Sequence, residues 1–224
     1  MTKNILAVVA HPDDEILGVG GTLCKHARDG DSVTVLILAD GESSRDDGDD
    51  AGKIGARQKA AKKAGEILGV QNVFFSDFPD NRMDSVVLLD IIKVVESHFT
   101  KIKPDVVYTH HGGDLNVDHR LTFEAVMTAS RPIQGGAYPK EIYTFETLSS
   151  TEWGVHGAFV PNVYVDIEEV FDQKLAALKV YESEMRPFPH PRSYEAVEAL
   201  AKLRGSTVAL NIAEAFACIR NIKD

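Results

Sequence analysis

The chain has 224 residues, 44% of them hydrophobic, enough for one domain with a substantial core and no need of a disulfide framework. Its 24 basic residues stand against 34 acidic ones, a net charge of −10 at pH 7. That balance argues against nucleic acid and anionic membranes as partners, because both are bound chiefly by Lys and Arg neutralising phosphates.

Short β-branched runs alternate with helical patterns through the first 130 residues. In chain order these are "NILAVVA", a helix from about Asp14, "SVTVLILA", a helix through "RQKAAKKAGEIL", "NVFFSDF", a helix through "SVVLLDIIKVVESHF", "PDVVYTH" and a helix through "RLTFEAVMTAS". Such alternation predicts an α/β fold, Rossmann-like, with a doubly wound and mainly parallel sheet flanked by helices in a single domain over residues 1–224. The second half is less regular. "EIYTFET" and "NVYVDI" read as strands, "EEVFDQKLAALKVYESE" as a helix, and "AVEALAKLRGSTVALNIAEAFACIR" as mostly helical. The acidic, glycine-containing "SSRDDGDDAGK" reads as a mobile surface loop, with a lid over the neighbouring strand end as its functional alternative.

The two cysteines, Cys24 and Cys218, form no CxxC pattern and read as small apolar residues. The N-terminal apolar run is too short for a secretory signal, and no segment has the length of a membrane span. A reducing, cytoplasmic location is the expectation.

In a doubly wound sheet the ligand crevice lies at the carboxyl ends of the strands. Polar clusters occupy four of those ends: "HPDDE", "ADGESSR", "DFPDNRMD" and "THHGGDLNVDH". The first can be read as a plain helix start, with Pro12 at the first helical position and acids in the first turn favoured by the helix dipole. A helix start does not account for a histidine at the turn or for three stacked acids. Residues i and i+3 share a helix face, so His11 and Asp14 can converge on one centre. A catalytic zinc takes three protein ligands and keeps one position open. The segment holding His110, His111, Asp114, Asp118 and His119 is the best source of the third. The glycines of "GVGGTL" do not fit a dinucleotide fingerprint and are better explained by close packing of the first helix on the sheet.

The segments "AHPDDE" and "NVDHR" resemble the two signature motifs of the LmbE-like (PIG-L) family of zinc-dependent N-deacetylases, in the family's order and spacing. The resemblance extends through "GVGGTL", "ADGE", "RQKAAKKAGEILGV" and "DFPDNRMD". It implies one zinc per chain held by His11, Asp14 and His119, with Asp13 as general base and Arg57 and Asp80 as substrate contacts. Such ligation also tolerates iron, cobalt or manganese. The implied substrate is a small N-acylated amino sugar or its conjugate, with an antibiotic-type glycoside or a thiol precursor as the alternative, and a homo-oligomer is plausible for the family. A non-catalytic sugar- or nucleotide-binding module is the reading from another class, and the intact metal and base positions argue against it.

One position departs from the family. Where many members have a histidine two residues before the motif's Asp, this chain has Asn116, which can hydrogen-bond to a substrate but cannot shuttle a proton. The general acid then falls to His190, in "RPFPHPRS", or to Asp13 acting twice. Asp118 reads as an orienter of a metal ligand, with a turn or cap role as its alternative. Glu42, Arg45, Arg186 and Arg192 are weaker candidates for substrate contact.

Overall fold

Seven strands form one sheet in the order β3-β2-β1-β4-β5-β7-β6 in a computed structural model that describes residues 2–43, 50–133 and 138–223. The first five strands, β1 (Asn4–Val9), β2 (Ser32–Ala39), β3 (Asn72–Phe78), β4 (Val106–His110) and β5 (Glu141–Phe145), pair in parallel. Their linking helices are α1 (Asp14–Arg28), α2 (Asp50–Leu68), α3 (Leu88–Ile102) and α4 (Val117–Ala129). The side chains of β1 alternate between two cores. Ile5, Ala7 and Val9 belong to one, with residues of α1 and α2, while Leu6 and Val8 belong to the other, with residues of α3 and α4. A sheet buried on both faces explains why its central strands are almost wholly apolar.

The second half supplies β6 (Val163–Asp166), α5 (Phe171–Val180), α6 (Tyr194–Ser206) and β7 (Ala213–Asn221). Here the helical expectation is corrected. The chain leaves α6 at Ser206, and residues 213–221 form a strand, antiparallel to both β5 and β6. Alanine and glutamate favour a helix locally, but "AEAFACIRN" fills the gap between two strands, and that tertiary pairing overrides propensity. The sheet is therefore mixed. Gly205 permits the reversal, since a Cβ there would come within 2.8–2.9 Å of the backbone of Leu210, Asn211 and Ile212. The helix read through residues 168–184 is shorter, with 3-10 turns at Glu168–Val170 and Glu182–Glu184 bracketing α5.

Helix α1 packs very close to the sheet, and Gly18 is why it can. A Cβ on Gly18 would lie 2.1 Å from the Phe145 ring of β5. The same helix is pinned by a buried ion pair. Lys174 Nζ of α5 lies 2.6 Å from Glu214 Oε1 of β7 and donates to the Leu17 carbonyl at 3.0 Å. Glu214 also accepts from Gly21 N–H, Thr22 N–H and the Thr22 hydroxyl at 2.6–2.8 Å. Removing one partner of such a pair strands a buried charge at a penalty of about 3–5 kcal/mol. Glu214→Ala should lower Tm by roughly 6–20 °C in a protein of this size. Lys174→Met should do less, because the glutamate keeps three donors. A Glu214→Ala variant that melts within about 2 °C of wild type would show the pair to be dispensable.

Both cysteines are free thiols, Cys24 buried and Cys218 half-buried. No helix among the described residues is long and apolar enough to cross a membrane.

Candidate active site

The carboxyl ends of β1 to β4 converge, and the polar clusters at those ends meet there. One residue separates His11 from the end of β1, and α1 begins at Asp14 with Asp13 as its N-cap. Pro12 is therefore outside the helix, two residues ahead of its first turn, which corrects the placement expected of it. Helix α4 begins at Val117, so Asp118 and His119 lie in its first turn and point back from the end of β4.

Three potential ligand atoms form a nearly equilateral triangle. His11 Nδ1 and His119 Nε2 each lie 3.2 Å from Asp14 Oδ2 and 3.3 Å from one another. An ion with tetrahedral bonds of about 2.0–2.1 Å requires edges of about 3.3 Å between its ligands, so the three fit one face of a zinc coordination shell. Asp14 keeps its second oxygen, Oδ1, buried with no hydrogen-bond partner. A second convergence of His11 with Asp80 and Asp118 uses the other ring nitrogen, Nε2, at 3.2 and 3.0 Å.

The carboxylates around the two histidines fix their rings. Asp118 orients His11 rather than its sequence neighbour His119, and its oxygens also accept from the backbone of Asn81 at 2.7 Å and Met83 at 3.0 Å. His119 is served by Asp114, whose Oδ1 lies 3.1 Å from Nδ1 and whose carboxylate is held by the Ser150 and Thr151 hydroxyls. The sequence offers Asp114 only as one of five candidates for the third metal ligand, and its place beside His119 Nδ1 is that of an orienting carboxylate. His110 lies flat on His119, centroids 3.9 Å apart, and accepts the Ala10 N–H at 2.9 Å.

Electrostatics favour a cation here. Burial would lower the His11 pKa, yet hydrogen bonds to Asp118 and Asp14 and the nearby Asp80 raise it to about 10. His119 is likewise raised against burial by Asp14 and Asp114. Burial would raise Asp14, but His119 and His110 hold it ionised, well below the usual carboxylate range. A centre this anionic attracts positive charge, and a divalent ion can supply it in place of protons on the rings.

Above the triangle is a cleft walled by His11, Asp13, Gly41, Arg57, Asp80, Asn81, Asn116, Glu184 and Arg192. Asp13 Oδ2 accepts from Arg192 Nη1 at 2.9 Å, while Oδ1 is buried and makes no hydrogen bond. Burial pushes the Asp13 carboxyl up to about 6 against the pull of Arg192. Asn116 caps α4, accepting the Asp118 N–H at 2.8 Å and donating to Asn81 Oδ1 at 2.9 Å. Each Arg57 nitrogen has a protein partner: Glu42 at 2.5 Å, the Pro12 carbonyl at 2.9 Å and Glu184 at 2.8 Å.

His190 does not belong to this wall. Its Nδ1 accepts the Arg192 N–H at 3.0 Å, so the ring shapes the turn that delivers Arg192 to Asp13. Arg186 is spent on the carbonyls of Ser183 and Met185. Arg45 and most of the proposed lid lie outside the described residues.

The sequence profile of the PIG-L family, described as GlcNAc-PI de-N-acetylase, matches residues 6–130. The chain is 34% identical over 187 residues to the uncharacterized deacetylase YaiS of Escherichia coli K12, covering 81% of this chain and 91% of that protein. It is 31% identical over 198 residues to the diacetylchitobiose deacetylase of Thermococcus kodakarensis, covering 81% and 70%. Among solved structures, GalB, the 4-carboxy-2-hydroxymuconate hydratase of Pseudomonas putida KT2440, superposes with a TM-score of 0.81 at 24% identity, covering 100% of this chain and 98% of that one. The chain belongs to the PIG-L (LmbE-like) family.

Proposed function

We propose that this protein is a zinc-dependent N-deacetylase that hydrolyses the N-acetyl amide of an amino sugar or amino-sugar conjugate. The observation that carries this reading is the 3.2–3.3 Å triangle of His11, Asp14 and His119 beneath a cleft that also contains Asp13, whose Oδ1 has no partner. Zinc in that triangle would polarise the acetyl carbonyl, stabilise its oxyanion and lower the pKa of a coordinated water.

The remaining work falls to the chain. Asp13 takes a proton from the attacking water through Oδ1 and hands it to the departing amine, so one carboxyl serves as base and then acid. Asn116 cannot carry that proton, and His190 is absent from the cleft wall, so of the two groups considered as general acid Asp13 is the one that lines the cleft. Asp80 and Asn116 offer an acceptor and an amide to sugar hydroxyls, which both donate and accept. The amino-sugar class draws support from the diacetylchitobiose deacetylase among the relatives.

Amine release from free, nucleotide-linked and glycoside-linked N-acetylated amino sugars, assayed with zinc-loaded protein, tests the reading. Release from any class is the expected result and names the substrate. Silence across the panel from protein holding one zinc per chain would reject the amino-sugar assignment. Water addition to an unsaturated tricarboxylate, tried in parallel, would move the protein towards hydratase chemistry.

A further inference from the structure

Asp13 occupies the N-cap of α1 without capping it. Its backbone is left-handed, φ 115 and ψ −27, and its side chain makes no cap hydrogen bond. Such a conformation is unfavourable in a non-glycine residue and persists only where its surroundings over-determine it.

Those surroundings are specific. The peptide joining Pro12 to Asp13 is gripped at both of its polar groups: its carbonyl accepts from Arg57 Nη1 at 2.9 Å, and its N–H donates to Glu15 Oε2 at 3.0 Å. Each gripping group is itself fixed. Arg57 is tied to Glu42 and Glu184 through its other nitrogens, and Glu15 Oε1 accepts the Tyr181 hydroxyl at 2.7 Å. Gly41, at φ 76, presses its backbone against the Pro12 ring, where a Cβ would stand 2.8 Å from Cδ. The next carbonyl, that of Asp13, already accepts the first helical N–H groups, from Ile16 at 3.0 Å and Leu17 at 2.9 Å. The turn thus has no polar backbone group through which to relax.

We infer that Arg57 and Glu15 are positioning residues for catalysis: together they clamp the Pro12–Asp13 peptide so that Asp13 is held in its left-handed conformation, which keeps the free Asp13 Oδ1 in place for proton transfer. The inference rests on Asp13 being the base. It gives Glu15 a purpose beyond helix-dipole stabilisation, and it makes Arg57 a clamp rather than a substrate contact. The two roles of Arg57 separate kinetically. Loss of a substrate contact shared by ground and transition states raises KM, whereas loss of aim lowers kcat. Glu15 gives the cleaner test, because it is buried and absent from the cleft wall and so cannot touch substrate.

The experiment compares Glu15→Met, Glu15→Gln and Arg57→Met in steady-state kinetics, zinc content and crystal structure. Glu15→Met and Arg57→Met should each retain one zinc and lose about 100-fold in kcat, the size of loss a misplacement near 1 Å produces. KM should stay within about twofold. Glu15→Gln keeps an acceptor for the Asp13 N–H and should recover most of the rate. In crystals of either methionine variant Asp13 should relax to negative φ. A raised KM with unchanged kcat in Arg57→Met would return Arg57 to substrate binding and overturn the clamp. So would an unaltered positive φ at Asp13 in both variants. Should the wild-type protein hydrolyse no amide, the catalytic reading falls on its own, while the Asp13 backbone in the variants still decides whether the clamp exists.

Discussion

Asp13→Asn should bind one zinc per chain and lose about 10²–10⁴-fold in kcat, the range that general acid–base catalysis contributes. The substitution is nearly isosteric, and an amide oxygen can still accept from Arg192 where Asp13 Oδ2 does now, at 2.9 Å. None of the three atoms of the metal triangle belongs to residue 13, so the ligand geometry is untouched. What disappears is the ability of Oδ1 to receive a proton. Asn116 cannot shuttle a proton and His190 is absent from the cleft wall, so neither should rescue the rate at any pH. Zinc stoichiometry by elemental analysis and turnover on the best substrate of the panel check both halves. Wild-type turnover in this variant would remove Asp13 from the mechanism, and loss of zinc would make it a ligand.

Much of this candidate site was legible in the sequence because its information is local. His11, Asp13 and Asp14 are contiguous, and the strand-then-helix pattern placing them at a strand end follows from hydrophobic periodicity alone. His119 was recoverable because β1 and β4 are neighbours, and a parallel doubly wound order makes them so. What the sequence hid depends on long-range packing. That Asp118 faces His11 rather than the adjacent His119, and that Asp114 faces His119, turns on how α4 leaves the loop after β4. Arg192 reaches Asp13 across 179 positions, from a turn whose composition says only that it is irregular. The strand at residues 213–221 was missed for a related reason. Its alanines and glutamate are good helix formers, and only the vacancy between β5 and β6 makes them a strand.

The proposed ligand set predicts an order of damage that an incidental cluster of buried polar groups would not reproduce. Asp14→Ala should hold no stoichiometric zinc and show only background turnover, since it leaves two histidines where a catalytic zinc needs three protein ligands. Asp14 is also the vertex on which the site closes: its Oδ2 lies 3.2 Å from both histidines of the triangle and 3.4 Å from His110, and it accepts the His11 N–H at 2.9 Å. Asp114→Ala and Asp118→Ala remove only the carboxylates that orient the rings. Changes at that distance from a metal typically weaken affinity about 10–100-fold, so both variants should hold zinc at saturating metal and surrender it to a chelator sooner than wild type. Competition with a chromogenic chelator across the four proteins reads the series directly. Thermal melts with and without zinc read it a second way, because an ion that binds only the folded chain raises Tm in proportion to the logarithm of its excess over Kd. The zinc-dependent rise should be full in wild type, reduced in the two orienting variants and absent in Asp14→Ala. Tight stoichiometric zinc in Asp14→Ala would mean that the metal lies elsewhere, with the second convergence around His11, Asp80 and Asp118 the first place to look.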